Sequence, residues 1–265
     1  MIKHTCSIIT AISLVWSVTA PAFELAVRVR NDSAALVSGA RLCGVRPLAL
    51  NGVAYRWQVA RAEGPALAGN PYCLALEPFG PYQSQQIRLQ WQPLAPDEGG
   101  GKAYTPDYDL TAAPSPQLLA LAERFGALPE TSRVAAIHQW MVDNIVFSGI
   151  RRGIDGAEHA LLNGQGDCTE HMLLAGELLQ RNGFTIRRVL GVAVDKDRTH
   201  ITASSLHNWI EYQDNGTWLV FDSSRRVLGS TAQQHYIALM FYQNSHQLGL
   251  EPLVLDSSRL QLYLR

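Results

Sequence analysis

Three residues in the C-terminal half have types and positions that could perform acyl transfer: Cys168, His207 and Asp222. Residues 163–183 read Asn-Gly-Gln-Gly-Asp-Cys-Thr-Glu-His-Met-Leu-Leu-Ala-Gly-Glu-Leu-Leu-Gln-Arg-Asn-Gly, a glycine-punctuated loop running into a helix that Gly183 stops. Asp167 is the candidate N-cap, which places Cys168 in the first turn. Unsatisfied N–H groups and a positive partial charge at a helix N-terminus favour a thiolate over a thiol. A cysteine there can act as a nucleophile near neutral pH, with its own backbone N–H aimed where an oxyanion would form. Downstream, Leu206-His207-Asn208-Trp209-Ile210-Glu211-Tyr212 and Thr217-Trp218-Leu219-Val220-Phe221-Asp222 are alternating runs joined through Asn215-Gly216, a hairpin signal. With Asn215 and Gly216 as the turn, His207 faces Ser224 and Asp222 is its diagonal neighbour. A loop centred one residue earlier puts His207 directly opposite Asp222. Either register leaves both side chains on one face, the nucleophile–base–orienter arrangement of covalent catalysis.

Each residue alone also has a structural role open to it: an inert buried cysteine, a core histidine, an aspartate ending a strand. The joint layout favours catalysis. A zinc reading through Cys168, His171, His200 and His207 has one sulfur and lacks the spacing of a common structural site. Asp195-Lys196-Asp197 is too sparse for a calcium loop. No metal and no cofactor is expected.

The elements that must position these residues differ in texture along the chain. Phe23–Arg30, Tyr55–Val59 and Ile87–Trp91 read as strands, separated by Asn51-Gly52, Gly69-Asn70-Pro71 and Pro78-Phe79-Gly80-Pro81. They predict a small β-sandwich over residues 23–92. Residues 93–116, rich in proline and glycine, form a linker. From 117 to 265 the spacing is first helical: Leu118, Leu119, Leu121, Ala122 and Phe125 share a face. A second helix is expected from about Ser132, its candidate N-cap, through Ile137, Met141 and Ile145, with His138 and Trp140 as packing residues. In the tail, His235–Tyr242 fits a strand or a helix, and Leu260–Leu264 a last strand; His235 and His246 are assigned to surface or packing.

At the start, Lys3 and His4 precede a short apolar run from Ile8 to Val18 and then Ala20-Pro21-Ala22, the layout of a secretory signal peptide cut after residue 22. The run falls short of the ~20 residues a membrane span needs, so no stable membrane insertion is expected and the product is periplasmic or secreted. In an oxidising compartment Cys43 and Cys73 can pair within the β-rich half, which leaves Cys168 free. Three reduced, buried cysteines are the alternative. The 265 residues carry 47% hydrophobic and 17% charged residues with a net charge of -1. That excludes a disordered chain and gives no basis for non-specific binding to nucleic acid.

The chain resembles the transglutaminase-like superfamily, its secreted bacterial branch in particular. Three blocks carry the resemblance: Gly166-Asp167-Cys168-Thr169-Glu170; Gly183-Phe184-Thr185-Ile186-Arg187-Arg188-Val189-Leu190-Gly191; and His207-Asn208-Trp209-Ile210-Glu211 followed by Gly216–Asp222. It implies an α+β fold: a papain-like core, with the cysteine helix packed on an antiparallel sheet, behind the N-terminal β domain. It also implies Cys168 as nucleophile, His207 as base and acid, and Asp222 as orienting group. Gln165 and Trp209 are the candidates for oxyanion or substrate contacts. Animal crosslinking transglutaminases carry Gln-Cys-Trp at the nucleophile, whereas Asp167 and Thr169 flank Cys168 here. The expected activity is cysteine-dependent cleavage of a peptide or carboxamide in the cell envelope or outside the cell. Acyl transfer to an amine and a catalytically silent binding or scaffold protein are the alternatives.

Overall fold

The computed structural model describes residues 22–44, 55–59, 72–93, 108, 110, 113–151, 153–229, 234–248 and 251–264. Most of the predicted signal peptide (1–21) and most of the linker (94–107, 109 and 111–112) lie outside the described residues. The N-terminal part supplies β1 (Phe23–Asn31), β2 (Arg41–Gly44), β3 (Tyr55–Val59), β4 (Tyr72–Ala75) and β5 (Ser84–Pro93). There follow α1 (Pro116–Gly126), α2 (Glu130–Asn144), β6 (Val146–Phe147), α3 (Ala157–Asn163), β7 (Gln165–Gly166) and α4 (Cys168–Arg181). The rest is β8 (Ile186–Asp195), β9 (His200–Ile201), β10 (Leu206–Asp214), β11 (Thr217–Asp222), β12 (Val227–Gly229), β13 (Gln234–Tyr242), β14 (Leu253–Leu255) and β15 (Leu260–Leu264).

The central antiparallel sheet runs β12-β11-β10-β8-β13. Its interior strand β8, between β10 and β13, is buried along nearly its whole length. Ile186 and Leu190 pack on the helices, together with Leu118 and Phe125 of α1, Ile137 and Met141 of α2, and Met172, Leu174 and Leu178 of α4. Further along, Val192 and Val194 pack on Phe23, Leu25 and Val27 of β1 and on Leu89 and Trp91 of β5. One strand therefore belongs to two hydrophobic cores, which is why it reads as a near-continuous apolar run.

Alternation in β1 places Phe23, Leu25, Val27 and Val29 inward, and the strand pairs with β5 on one side. On its other side it pairs with β15, from Val27↔Leu264 to Asn31↔Leu260. β14 likewise pairs with β2, next to β4. The C-terminal strands, grouped by sequence with residues 117–265, thus complete the two N-terminal sheets; a bare edge on β1 would be an open template for pairing. Cys43 and Cys73 are directly opposed in β2 and β4 and joined by a disulfide, Cα–Cα 4.0 Å. His235–Tyr242 is a strand. Helix α2 starts two residues before Ser132, with Pro129 at the N-cap; Ser132 Oγ instead donates to the Pro129 carbonyl at 2.9 Å. The fixed φ of proline begins that helix without a side-chain cap.

Gly191 of β8 sits between His207 of β10 and Ala238 of β13. A Cβ there would run into the Ile237 carbonyl and the Trp209 indole, well inside van der Waals contact. Gly191→Ala is expected to cost about 2–3 kcal/mol, or about 5–10 °C in Tm. Denaturant and thermal unfolding measure it; an unchanged midpoint would mean that β13 and Trp209 are not held as described.

Candidate active site

The candidate nucleophile, Cys168, is positioned by the start of α4. Asp167 caps it: its Oδ1 accepts the Thr169 N–H at 2.7 Å, and Glu170 Oε2 accepts the Asp167 N–H at 3.1 Å, a complete capping box. Both carboxylates also hold the preceding loop. Asp167 Oδ2 accepts from the Arg151 N–H at 3.2 Å, and Glu170 Oε1 accepts from the Asp155 N–H at 2.9 Å. Gly166 must be glycine, because a Cβ would overlap Glu170 Cβ. Cys168 is the first helical residue and 8% exposed. Its N–H is among those a helix leaves unpaired.

The candidate base His207 and its candidate orienting group Asp222 come from the β10–β11 hairpin. Asn215 and Gly216 have φ of 48° and 81°, as a type I′ turn demands. The register runs from Asp214↔Thr217 to Ile210↔Phe221, so its extension sets His207 against Ser224 with Asp222 on the diagonal. Of the two registers open from sequence, this is the first. His207 Nε2 meets Asp222 Oδ2 at 2.6 Å, and Ser224 Oγ lies 3.5 Å from the same nitrogen. The imidazole also hydrogen-bonds the Cys168 side chain.

Asp222 is buried and fully engaged. Oδ2 also accepts from Tyr236 Oη at 2.8 Å; Oδ1 accepts from Ser224 Oγ at 2.7 Å and from the Arg225 N–H at 3.1 Å. Burial alone would raise its pKa, but His207 and these hydroxyl donors hold it down at about 2. Burial alone would likewise depress the His207 imidazolium. The Asp222 charge and hydrogen bond outweigh it, and the ring's pKa stands at about 9. His207 is therefore an imidazolium at neutral pH.

Trp209, a candidate substrate contact by sequence, is 1% exposed. Its indole lies nearly parallel to His207, centroids 6.3 Å apart, and its N–H points to Glu211 Oε1 at 3.3 Å. Tyr236 meets it edge-on at 5.1 Å. It forms a wall for the histidine, because alternation along β10 puts His207, Trp209 and Glu211 on one inward face. Glu211 accepts from Arg187 Nε at 2.6 Å, and the Arg187 guanidinium is sandwiched between the Trp218 and Phe241 rings at 4.2 and 4.3 Å. Gln165 is on β7, its side chain exposed, three residues before the nucleophile. His200 of the zinc reading lies on the surface beside Glu24, and among the described residues no three His, Cys, Asp or Glu are grouped to hold a metal ion.

Sequence reasoning missed three supporting residues, His171, Asn208 and Tyr236. His171, three after Cys168, is 3% exposed and joins Ser223 Oγ through Nδ1 at 2.9 Å, tying α4 to the strand end that bears Asp222. Burial lowers its pKa to about 4, so it stays neutral. Asn208 donates to Thr169 Oγ1 at 2.9 Å and accepts from Tyr242 Oη at 3.0 Å, a second tie between hairpin and helix. Tyr236 comes from an element whose type was open by sequence. His138, expected to pack, does so edge-on against Phe221 at 5.0 Å, with Nε2 3.4 Å from the Asp222 carbonyl.

Residues 119–223 match the family model of the transglutaminase-like superfamily. No curated protein matches the chain. Among solved structures, a candidate cysteine protease from Cytophaga hutchinsonii is similar at 13% identity and a TM-score of 0.52, over 93% of this chain and 90% of that one. That likeness is one of fold. The periplasmic domain of TgpA from Pseudomonas aeruginosa aligns at 18% identity and a TM-score of 0.40, over 76% of this chain and 88% of its own. EGTA-treated LapG from Legionella pneumophila aligns at 13% and 0.36, over 50% and 81%.

The two shifts predict a pH signature. A raised His207 pKa adds stability that is full below 6.5 and lost as pH climbs through about 9. A depressed Asp222 pKa adds stability that is full above 3.8 and lost as pH falls through about 2. In Asp222→Asn the carboxylate is gone and only Cys168 still acts against burial, so the His207 ring should titrate well below 9. NMR titration of the His207 ring reads this directly; an unmoved titration would show that Asp222 does not set it.

Proposed function

With residues 119–223 belonging to the transglutaminase-like superfamily, we propose that the chain is an exported, cysteine-dependent enzyme that hydrolyses peptide or carboxamide bonds through a thioester on Cys168. The observation that carries this reading is the hydrogen-bonded series from Cys168 through His207 to Asp222. Export is supported by the leader-like pattern of residues 1–22 and by the Cys43–Cys73 disulfide.

In the proposed cycle the proton of the Cys168–His207 pair already stands on the imidazole, and the Cys168 sulfur attacks the substrate carbonyl carbon. The oxyanion is received by the Cys168 N–H, with the Gln165 amide as a second donor. The imidazolium then gives its proton to the leaving nitrogen, the C–N bond breaks, and an amine departs from the thioester. Water next gives a proton to His207 and attacks the thioester carbonyl. The acid leaves, and the free sulfur again stands beside the His207 imidazolium. Asp222 keeps the ring oriented and its cationic form stable throughout, and Trp209 limits its tilt. An amine entering in place of water would give transfer by the same steps.

The test is proteolysis and deamidation of peptide mixtures read by mass spectrometry, with and without an added primary amine. Cys168→Ala should lower the rate by about 10³-fold or more, and Asp222→Asn by about 10²–10⁴-fold. Unmodified acid products support hydrolysis. Products that carry the amine would replace it with transfer. Function that survives Cys168→Ala would leave a binding or scaffold role.

A further inference from the structure

A cavity of about 330 Å³ lies beside the chain segments that carry His207 and Asp222. Its lining comes from the end of β8, the turn Ala203–Ser205 and Arg225. The inner wall is shared with the site. Ser205 is buried two residues before His207, and the Arg225 N–H donates to Asp222 Oδ1. Thr202 and Ser204 add hydroxyls, 2.8 Å from one another. The acidic residues of the lining stand at the solvent rim. Asp195 is 51% exposed and paired at 3.6 Å with Arg198, itself 70% exposed, and Asp197 is also exposed; His200 leans outward to Glu24. Among the described residues no carboxylate forms an ion pair with the half-buried Arg225 guanidinium. Both Asp222 oxygens are already taken by His207, Tyr236, Ser224 and the Arg225 backbone.

The direction of the chemistry says what this cavity faces. His207 must hand its proton to the leaving nitrogen, so the leaving fragment lies on the His207 side of Cys168, the side to which Ser205 and Arg225 belong through the chain and the Arg225–Asp222 hydrogen bond. We propose that the cavity is the leaving-group subsite and that Arg225, with the Thr202 and Ser204 hydroxyls, binds a carboxylate there. Its volume lies at the small end of ligand sites, with room for a residue or two and not an extended chain. The preferred substrates are then peptides cleaved close to a free carboxyl end. A guanidinium suits this role because its planar fork binds a carboxylate through paired hydrogen bonds. The direction rests on the hydrolase reading above; carboxylate binding itself is measurable without turnover.

The test uses the Cys168→Ala protein and alanylalanine, a mimic of the departing fragment, against its C-terminal amide and against acetate, by calorimetry and NMR shift mapping. The dipeptide should bind at least about ten-fold tighter than the amide. Arg225→Gln should erase the difference and Arg225→Lys restore part of it. Equal binding of acid and amide, binding of neither, or a preference that survives Arg225→Gln overturns the proposal; acetate binding as well as the dipeptide reduces the cavity to a bare anion pocket and overturns it too. A second arm compares acid- and amide-ended peptides as substrates of the wild-type protein. Arg225→Gln should raise KM for the acid and remove the difference in KM between the two ends. Carboxylate binding without any Cys168-dependent hydrolysis sinks the proposed function and leaves this site standing. Hydrolysis without discrimination between the two ends does the reverse.

Discussion

Burying a carboxylate is among the more expensive things a protein does, and Asp222 is buried almost completely. An ionised group removed from water costs several kcal/mol unless charge and hydrogen bonds replace the solvent. Here an imidazolium, two hydroxyls and a backbone N–H replace it. These four donors come from three pieces of chain: the neighbouring strand, the Ser223–Arg226 turn, which gives two of them, and β13 across the sheet. The site therefore exists only when the whole central sheet is assembled. The same compensation recurs one layer out. Arg187 and Glu211 neutralise one another between two aromatic rings and so fix the indole that walls in His207.

The two halves of the site are separate devices that meet at side chains. On the helix side, Asp167 and Glu170 cap α4 and simultaneously pin the 151–156 backbone, so the loop and the nucleophile share one support. On the sheet side, a type I′ turn sets the register that puts His207 and Asp222 on one face. Thr169–Asn208 and His171–Ser223 fasten the devices together within one turn of Cys168. Cysteine–imidazole contact tolerates little misplacement, and two short hydrogen bonds either side of it are a local way to meet that tolerance.

Much of this was legible in the residues because it depends on local rules. Asp167 three residues before Glu170 is a capping box in any context, and Asn215-Gly216 between alternating runs admits few turns. The hairpin left two registers open, since a loop one residue off changes the pairing without breaking the alternation; the φ values of Asn215 and Gly216 decide it. Trp209 looked like a substrate contact because an aromatic beside a catalytic histidine has two destinations, and only the tertiary position of Tyr236 and Val189 fills the outer one. Ser132 lost the helix start to Pro129, whose fixed φ competes with a side-chain cap. His171, Tyr236 and Asn208 carried no pattern of their own. Their partners lie 34 to 52 residues away or on a strand whose type was ambiguous, and long-range hydrogen bonds leave no periodicity to read.

The pairing of β1 with β15 has a kinetic meaning. Val27 and Leu264 are opposite one another although nearly the whole chain lies between them, and β9 joins β1 in parallel at Glu24 and Leu25. Contacts of such separation carry a large loop-closure entropy and place a topology among the slow folders. During vectorial synthesis or translocation, the first sheet must wait with an open edge until residues 260–264 arrive. The cysteine helix and the hairpin, whose own contacts are closer in sequence, can dock earlier. The catalytic centre would then form before the β layer beneath Val192 and Val194 is sealed, and the last strand acts as the latch of the fold.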